Sequence, residues 1–187
     1  MDGRAGLIAT LSAEQLSLLQ ARLKSLRGGG QEPERIPRRE GAGPAPLSFA
    51  QERIWLQDRM EPGAAAFNLS LAVRLVGVLD RGALQRSLDE IVRRHEVLRT
   101  AFEMREEGPV QVVRPPRGID LRTVELDGEA DPDATVLRRA DAEARLPIDL
   151  DRDLPFRPVL FRLGPEEHVL LLVLHHIATD RWSFGVL

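Results

Sequence analysis

A pair of adjacent histidines near the end of the chain is the group of residues best suited to chemistry. His175 and His176 are followed by Asp180 and Ser183, in the pattern HHxxxDxxS. A neutral imidazole has a pKa of about 6.5, so it can accept a proton at neutral pH and pass it on. The pattern therefore predicts general acid–base chemistry with one of the histidines as the base.

Only one of the two histidines can face a substrate. The apolar run at residues 169–174 (VLLLVL) predicts a buried strand, and successive side chains on a strand point to opposite faces. Two other interpretations stay open on the residues alone. In the first, the histidines are structural side chains at a strand end with their hydrogen bonds satisfied, and Asp180 is a helix cap. In the second, the histidines are metal ligands. The metal site is the weaker alternative, because adjacent histidines diverge and no further ligand cluster is visible.

The histidines lie between a strand and the beginning of a helix. Residues 159–163 and 169–174 flank the turn segment GPEE and predict a hairpin whose second strand is central in its sheet. Residues 180–187 have the composition of a first helical turn. The histidines are therefore expected on a strand-to-helix loop, where rigid scaffolds commonly present catalytic groups.

The remaining elements follow from capping residues and hydrophobic periods. Helices are predicted over residues 48–60, from Asp80 onward and over residues 131–146. Residues 67–75 are apolar at every second position and predict a half-buried strand, and residues 98–113 predict a hairpin. Helices and hairpins interleave without a strict strand–helix–strand rhythm. The fold class is therefore predicted as α/β, a two-layer α/β sandwich with a mixed sheet.

The composition changes twice along the chain. Residues 1–27 carry a leucine stripe that predicts a leader helix, which could serve as a docking element. Residues 28–46 hold five Gly and four Pro and predict a linker. Residues 47–187 are the predicted folded domain, and we expect it to be incomplete because the sequence stops inside a predicted helix.

The composition of the whole chain excludes several classes of protein. The 187 residues are 43% hydrophobic and 29% charged, which is typical of a globular protein. The net charge of −3 gives no electrostatic basis for binding nucleic acid or an anionic membrane. Cysteine is absent, which excludes disulfides and thiolate ligands. Neither a secretory signal nor a membrane-spanning run is visible, so we expect a cytoplasmic protein.

Three ordered motifs resemble those of condensation domains of nonribosomal peptide synthetases. Residues 47–56 (LSFAQERIWL) are similar to the family motif SxAQxRLWxL, and residues 94–102 (RHEVLRTAF) are similar to RHExLRTxF. The histidine pattern is similar to the HHxxxD motif, which is the third. The resemblance covers residues 47–187 and implies the first lobe of the chloramphenicol acetyltransferase-like fold, truncated.

The resemblance also implies roles for individual residues. His176 matches the catalytic position, whereas His175 and Asp180 match positions regarded as structural. Asp180 is expected to form an ion pair with Arg99 of the second motif, or alternatively with Arg94. Arg181 stands where the family usually has glycine, so Arg181 and Ser183 are expected at a substrate tunnel or at the helix start.

The implied reaction is amide-bond formation between two carrier-bound thioesters. The donor is an acyl or peptidyl thioester and the acceptor an aminoacyl thioester, each carried on the 4'-phosphopantetheine arm of a carrier protein. The implied partners are an upstream donor carrier, a downstream acceptor carrier and an adenylation domain, and the fold itself needs no bound cofactor. The 187 residues alone are expected to be inactive. The alternatives are an O-acyltransferase of the wax-ester synthase type and a non-catalytic platform that recruits carriers.

Overall fold

The computed structural model describes residue 41 and residues 43–185. The predicted leader helix and most of the predicted linker lie outside the described residues. In chain order, the elements are β1 (Ala45–Pro46), α1 (Phe49–Met60), β2 (Asn68–Val76), α2 (Arg81–Arg94), a 3₁₀ turn (Glu96–Arg99), β3 (Thr100–Arg105), β4 (Gly108–Val113), β5 (Arg122–Glu125), α3 (Pro132–Ala144), β6 (Phe156–Gly164), β7 (Glu167–His175) and a second 3₁₀ turn (Ser183–Gly185).

Each of the three α-helices within residues 43–185 begins at a capping residue that the sequence predicts. At α1, the Ser48 hydroxyl accepts a hydrogen bond from the Gln51 N–H, and the Gln51 side chain accepts one from the Ser48 N–H. Asp80 and Asp131 cap α2 and α3 in the same way through their carboxylates. These bonds satisfy backbone donors that a helix start leaves free. None of the described helices is both long and apolar enough to cross a lipid bilayer.

Among the described residues, the larger sheet has four strands in the order β2, β7, β6, β5. β7 pairs antiparallel with both of its neighbours, from Asn68 opposite His175 on one side to Phe156 opposite Leu174 on the other. β5 is parallel to β6, and α3 lies in the connection between them. The predicted central position of β7 and the mixed sheet are therefore confirmed, and the histidine pair lies at the end of that strand, with His175 as its last residue and His176 directly after it.

The smaller sheet has three strands in the part of the chain that the structure describes, in the order β1, β4, β3. β3 and β4 form the hairpin that the sequence predicts, with Thr100 opposite Val113. β1 pairs Ala45 with Gln111, so the end of the predicted linker is held against this hairpin.

Helices cover both faces of the four-stranded sheet. Odd-numbered residues of β7, such as Leu171, pack with Trp55 of α1 and Val136 of α3. Even-numbered residues, such as Leu174, pack with Leu88 of α2. The α/β class with a mixed sheet is confirmed, with α1 and α3 on one face of the sheet and α2 on the other. Because β7 is apolar on both faces, both faces of the sheet must be packed against helices to keep these side chains from water.

β2 lies at the edge of this sheet within the described part of the chain. Leu71 and Val73 keep 38% and 39% of their surface exposed, and neither belongs to the cluster that α2 forms with this face of the sheet. The predicted strand is present, but the predicted half-burial is limited to its ends, where Leu69 and Leu75 are partly buried and residues 70–74 are all exposed.

Candidate active site

The histidine motif begins at the last residue of β7. The His175 N–H donates to the Pro155 carbonyl at 3.0 Å, and the His176 N–H donates to the Phe67 carbonyl at 2.8 Å. The chain then turns, and the Ala178 N–H donates back to the His175 carbonyl at 3.0 Å. These bonds tie the turn to the segments that flank β7 on both sides.

The two histidine side chains have opposite environments. His175 is 2% exposed, whereas His176 is exposed to solvent. The strand geometry separates them, as the sequence predicts, because neighbouring side chains leave a strand on opposite faces. His176 is therefore the one available to a substrate.

The His175 ring is held on three sides. Its Nδ1 accepts the Ile177 N–H at 3.2 Å, its Nε2 lies 3.5 Å from an Asp58 carboxylate oxygen, and its centroid lies 6.0 Å from that of the Phe67 ring. An Nδ1 that accepts a hydrogen bond carries a lone pair, so the proton of the neutral ring is on Nε2. Burial lowers the pKa of His175 below its usual value, and the Asp58 carboxylate opposes that shift.

The His176 ring has the opposite arrangement of its two nitrogens. Its Nδ1 lies 2.7 Å from the Thr179 carbonyl oxygen. A carbonyl oxygen can only accept, so Nδ1 carries the proton in the neutral ring. The lone pair of the neutral imidazole is then on Nε2, the nitrogen that does not contact the turn. This arrangement presents a base from a fixed ring.

Asp180 closes the turn after the histidines. One of its carboxylate oxygens accepts hydrogen bonds from the Ser183 N–H at 2.8 Å and from the Ser183 hydroxyl at 2.7 Å. The hydroxyl bond and then the backbone bond hold the pKa of the Asp180 carboxyl below its usual value. Asp180 and Ser183 thus form a local cap at the 3₁₀ turn.

The ion pair that the sequence predicts for Asp180 is not present among the described residues. Arg99 donates instead to the Arg114 carbonyl, and it lies 3.2 Å from a carboxylate oxygen of Glu96. The alternative partner Arg94 pairs with Glu90. The prediction is wrong because Asp180 is exposed and finds two donors three residues away, while the buried Arg99 is turned toward the β3–β4 hairpin.

The second and third motifs share a small cavity. It has a volume of about 160 Å³, and it is lined by His95, Val97, Leu98, Ala178, Thr179, Trp182 and Ser183. Trp182 is 85% exposed at its rim, and Arg181 is exposed beside it. The structure therefore places the two motifs on the walls of one cavity. In the described part of the chain, no group of three or more His, Asp or Glu side chains is placed to hold a metal ion.

Two residues of this site are not identified by the sequence reasoning. The Thr179 carbonyl acts through its backbone, so its side-chain type gives no signal. Asp58 does leave a signal, because it follows the buried Trp55 by three residues on α1. Residues at this spacing share a helix face, and a carboxylate on a buried face needs a partner.

Comparison with known proteins gives a consistent family. The family model described as "Condensation domain" matches residues 42–187. The chain is 45% identical over 143 residues to chondramide synthase from Chondromyces crocatus, which covers 75% of this chain and 4% of that protein. It is 37% identical over 186 residues to phosphinothricin tripeptide synthetase from Streptomyces viridochromogenes, which covers 96% of this chain and 17% of that protein.

Solved structures agree with the fold. The first condensation domain of the calcium-dependent antibiotic (CDA) synthetase superposes with a TM-score of 0.72 at 28% identity, over 79% of this chain and 38% of that one. The starter condensation domain of rhizomide synthetase gives a TM-score of 0.72 at 23% identity, which concerns the fold alone. The chain thus spans well under half of the solved domains that it matches.

Proposed function

This chain belongs to the condensation domain family, and we propose that its site forms amide bonds between carrier-bound thioesters. The observation that carries the proposal is the position of His176, exposed at the end of the central strand with its Nδ1–H on the Thr179 carbonyl. A ring fixed in this way directs one lone pair outward, where an attacking amine would lie.

The proposed reaction needs one proton to move. The acceptor amine attacks the carbonyl carbon of the donor thioester, so that a C–N bond forms and the C–S bond breaks. The amine proton passes to His176 Nε2 and from there to the departing sulfur, which leaves as a free thiol on the donor arm. General acid–base assistance of this kind contributes ~10²–10⁴-fold to a rate.

The neighbouring residues support His176 without taking part in the proton transfer. Thr179 holds the ring through its carbonyl, and Asp180 with Ser183 closes the turn. The buried His175 anchors the backbone between these groups through the Ile177 N–H. Arg181 is exposed, so we propose that it meets the carrier arm or its protein at the entrance to the site.

The substrates and partners are inferred from the family. We propose that both thioesters are carried on 4'-phosphopantetheine arms of carrier proteins, with an adenylation domain in the same assembly and the cytoplasm as its compartment. The chain corresponds to about 38% of a solved condensation domain, so we propose that turnover requires the remaining part of such a domain. One of the relatives named above is a tripeptide synthetase, which favours an amine acceptor over an alcohol.

The test is a condensation assay with loaded donor and acceptor carriers, using a polypeptide that contains these residues within a whole condensation domain. His176→Ala should slow amide formation by ~10²–10⁴-fold and leave the melting temperature unchanged. Glu166→Ala, in the exposed turn at the far end of β7, is the control and should keep the parental rate.

Three results would contradict the proposal. Amide formation by the His176→Ala variant at the parental rate would remove the proposed base. Product formed only with an alcohol acceptor would indicate an O-acyltransferase. Carrier binding with no product from the parent, under conditions in which a known condensation domain turns over, would indicate a recruiting platform.

A further inference from the structure

Asp58 faces the buried histidine of the motif from a separate element. It lies in α1, its side chain is 20% exposed, and its Oδ1 is 3.5 Å from His175 Nε2. This distance is long for a hydrogen bond but short enough for strong attraction between a carboxylate and an N–H dipole in a poorly hydrated place. An ionised carboxylate can only accept, so Asp58 favours a proton on Nε2 of His175.

The opposite nitrogen of the same ring holds the motif's own backbone. The Ile177 N–H donates to His175 Nδ1 at 3.2 Å, which requires a lone pair there. Asp58 and Ile177 therefore select the same tautomer from two sides of the ring. In the other tautomer, an N–H of the ring would point at the N–H of Ile177, and the turn would lose this contact.

That turn also sets the geometry of His176. Ile177 lies between His176 and Thr179, whose carbonyl receives the His176 Nδ1–H at 2.7 Å. The Ala178 N–H closes the same turn on the His175 carbonyl. A change in the His175 tautomer would therefore reach the His176 ring through three residues of backbone.

We propose that Asp58 is a positioning residue for His176. It keeps His175 in the Nε2–H tautomer, His175 then holds the turn through Ile177, and the turn holds His176 in the opposite, Nδ1–H tautomer with Nε2 free. Asp58 itself touches no substrate. The inference rests on the proposed function for its catalytic consequence, but the pair of opposite tautomers can be measured without any turnover.

The first test is NMR spectroscopy of the 187-residue chain with ¹⁵N-labelled histidine, using two-bond ¹H–¹⁵N correlations that distinguish the tautomers. The parent should show His175 with Nε2–H and His176 with Nδ1–H. Asp58→Ala should give a mixture of His175 tautomers and should shift the His176 resonances. Asp58→Asn should restore the parental pattern, because its amide oxygen accepts the same proton. Glu52→Ala removes an exposed carboxylate from the same helix and should change neither ring.

Several results would overturn the proposal. One is a parent spectrum with His175 protonated on Nδ1, and another is an Asp58→Ala spectrum identical to that of the parent. Should Asp58→Ala fail to fold, Asp58→Leu gives an apolar side chain of similar size and must show the same tautomer mixture. Unchanged tautomers in that variant would likewise refute the role of Asp58.

The second test separates this inference from the proposed function. Within a whole condensation domain, Asp58→Ala should lower kcat by up to ~10²-fold with KM unchanged, because a small misplacement of a catalytic group can cost that much, and Asp58→Asn should recover most of the rate. If Asp58→Ala alters the tautomers while Asp58→Ala and His176→Ala both keep full activity, the positioning role of Asp58 stands and the proposed catalytic role of His176 is refuted. If His176→Ala is inactive while Asp58→Ala keeps the parental tautomers and the parental rate, only the positioning role of Asp58 is refuted.

Discussion

The stability of the chain should fall when the pH is lowered from 7.5 to 5.5, and His175 should account for a measurable part of that fall. His175 is 2% exposed, and burial lowers its pKa in the folded chain. In the unfolded chain the imidazole titrates at about 6.5, so the unfolded state binds the additional proton. The stability held by the neutral ring is therefore fully present above about pH 6.5, and it is lost as the pH falls toward the folded-state pKa.

The size of the effect follows from the single proton involved. One proton gives a slope of at most ~1.4 kcal/mol per pH unit, so the loss between pH 7.5 and 5.5 is at most ~1.4 kcal/mol. The Asp58 carboxylate reduces this loss, because it favours the charged ring. Glu90 does not interfere, since hydrogen bonds from Arg93 and Arg94 lower its pKa to about 2, far below this window.

The assay is urea unfolding of the parent and of His175→Gln at both pH values. The parent should lose more stability than the variant, by up to ~1.4 kcal/mol. His176→Gln is the matched control and should keep the parental dependence, because it leaves the buried ring in place. Equal pH dependence in the parent and His175→Gln would refute the reasoning. The reasoning would also be refuted by an NMR titration of the folded parent in which the pKa of His175 is equal to or higher than that of a free histidine.

The remaining predictions concern contacts that support the site. Arg99→Ala should lower the free energy of unfolding by ~1–3 kcal/mol, because the Arg114 carbonyl loses its donor, and urea unfolding measures this loss. In a double-mutant cycle, Arg99→Ala and Asp180→Ala should be additive within ~0.5 kcal/mol, and a larger coupling would show that the two side chains do interact. Ser48→Ala should cost ~1 kcal/mol in thermal unfolding, since it breaks the capping box of α1, and an unchanged melting temperature would contradict that role.

Features that depend on neighbouring residues could be predicted from the sequence. The Ser48 capping box needs only residues three apart, and the apolar run of β7 reports burial on both faces without any knowledge of its partners. The divergence of His175 and His176 likewise follows from strand geometry. These inferences succeeded because the cause and the signal lie in the same few residues.

Features that depend on distant partners could not be predicted in this way. β5 has only four residues, and its parallel pairing with β6 is set by the α3 connection. The ion pair proposed for Asp180 failed because a local cap competes with any remote arginine, and the sequence does not show which way Arg99 turns. The contact of Asp58 with His175 joins α1 to the end of β7, and only the assembled sheet brings them together.

The pairing of β2 with β7 has a consequence for the order of folding. The His176 amide is bonded to the Phe67 carbonyl, so the reactive loop is anchored to a segment roughly a hundred residues earlier, and contacts of such separation form slowly. On the ribosome, β2 must therefore wait for most of the chain before its neighbour emerges. We expect the His176 and Ile177 amides to gain protection late in pulse-labelled hydrogen exchange, together with the amides of β7. Early protection of these two amides would show that the loop acquires its shape locally.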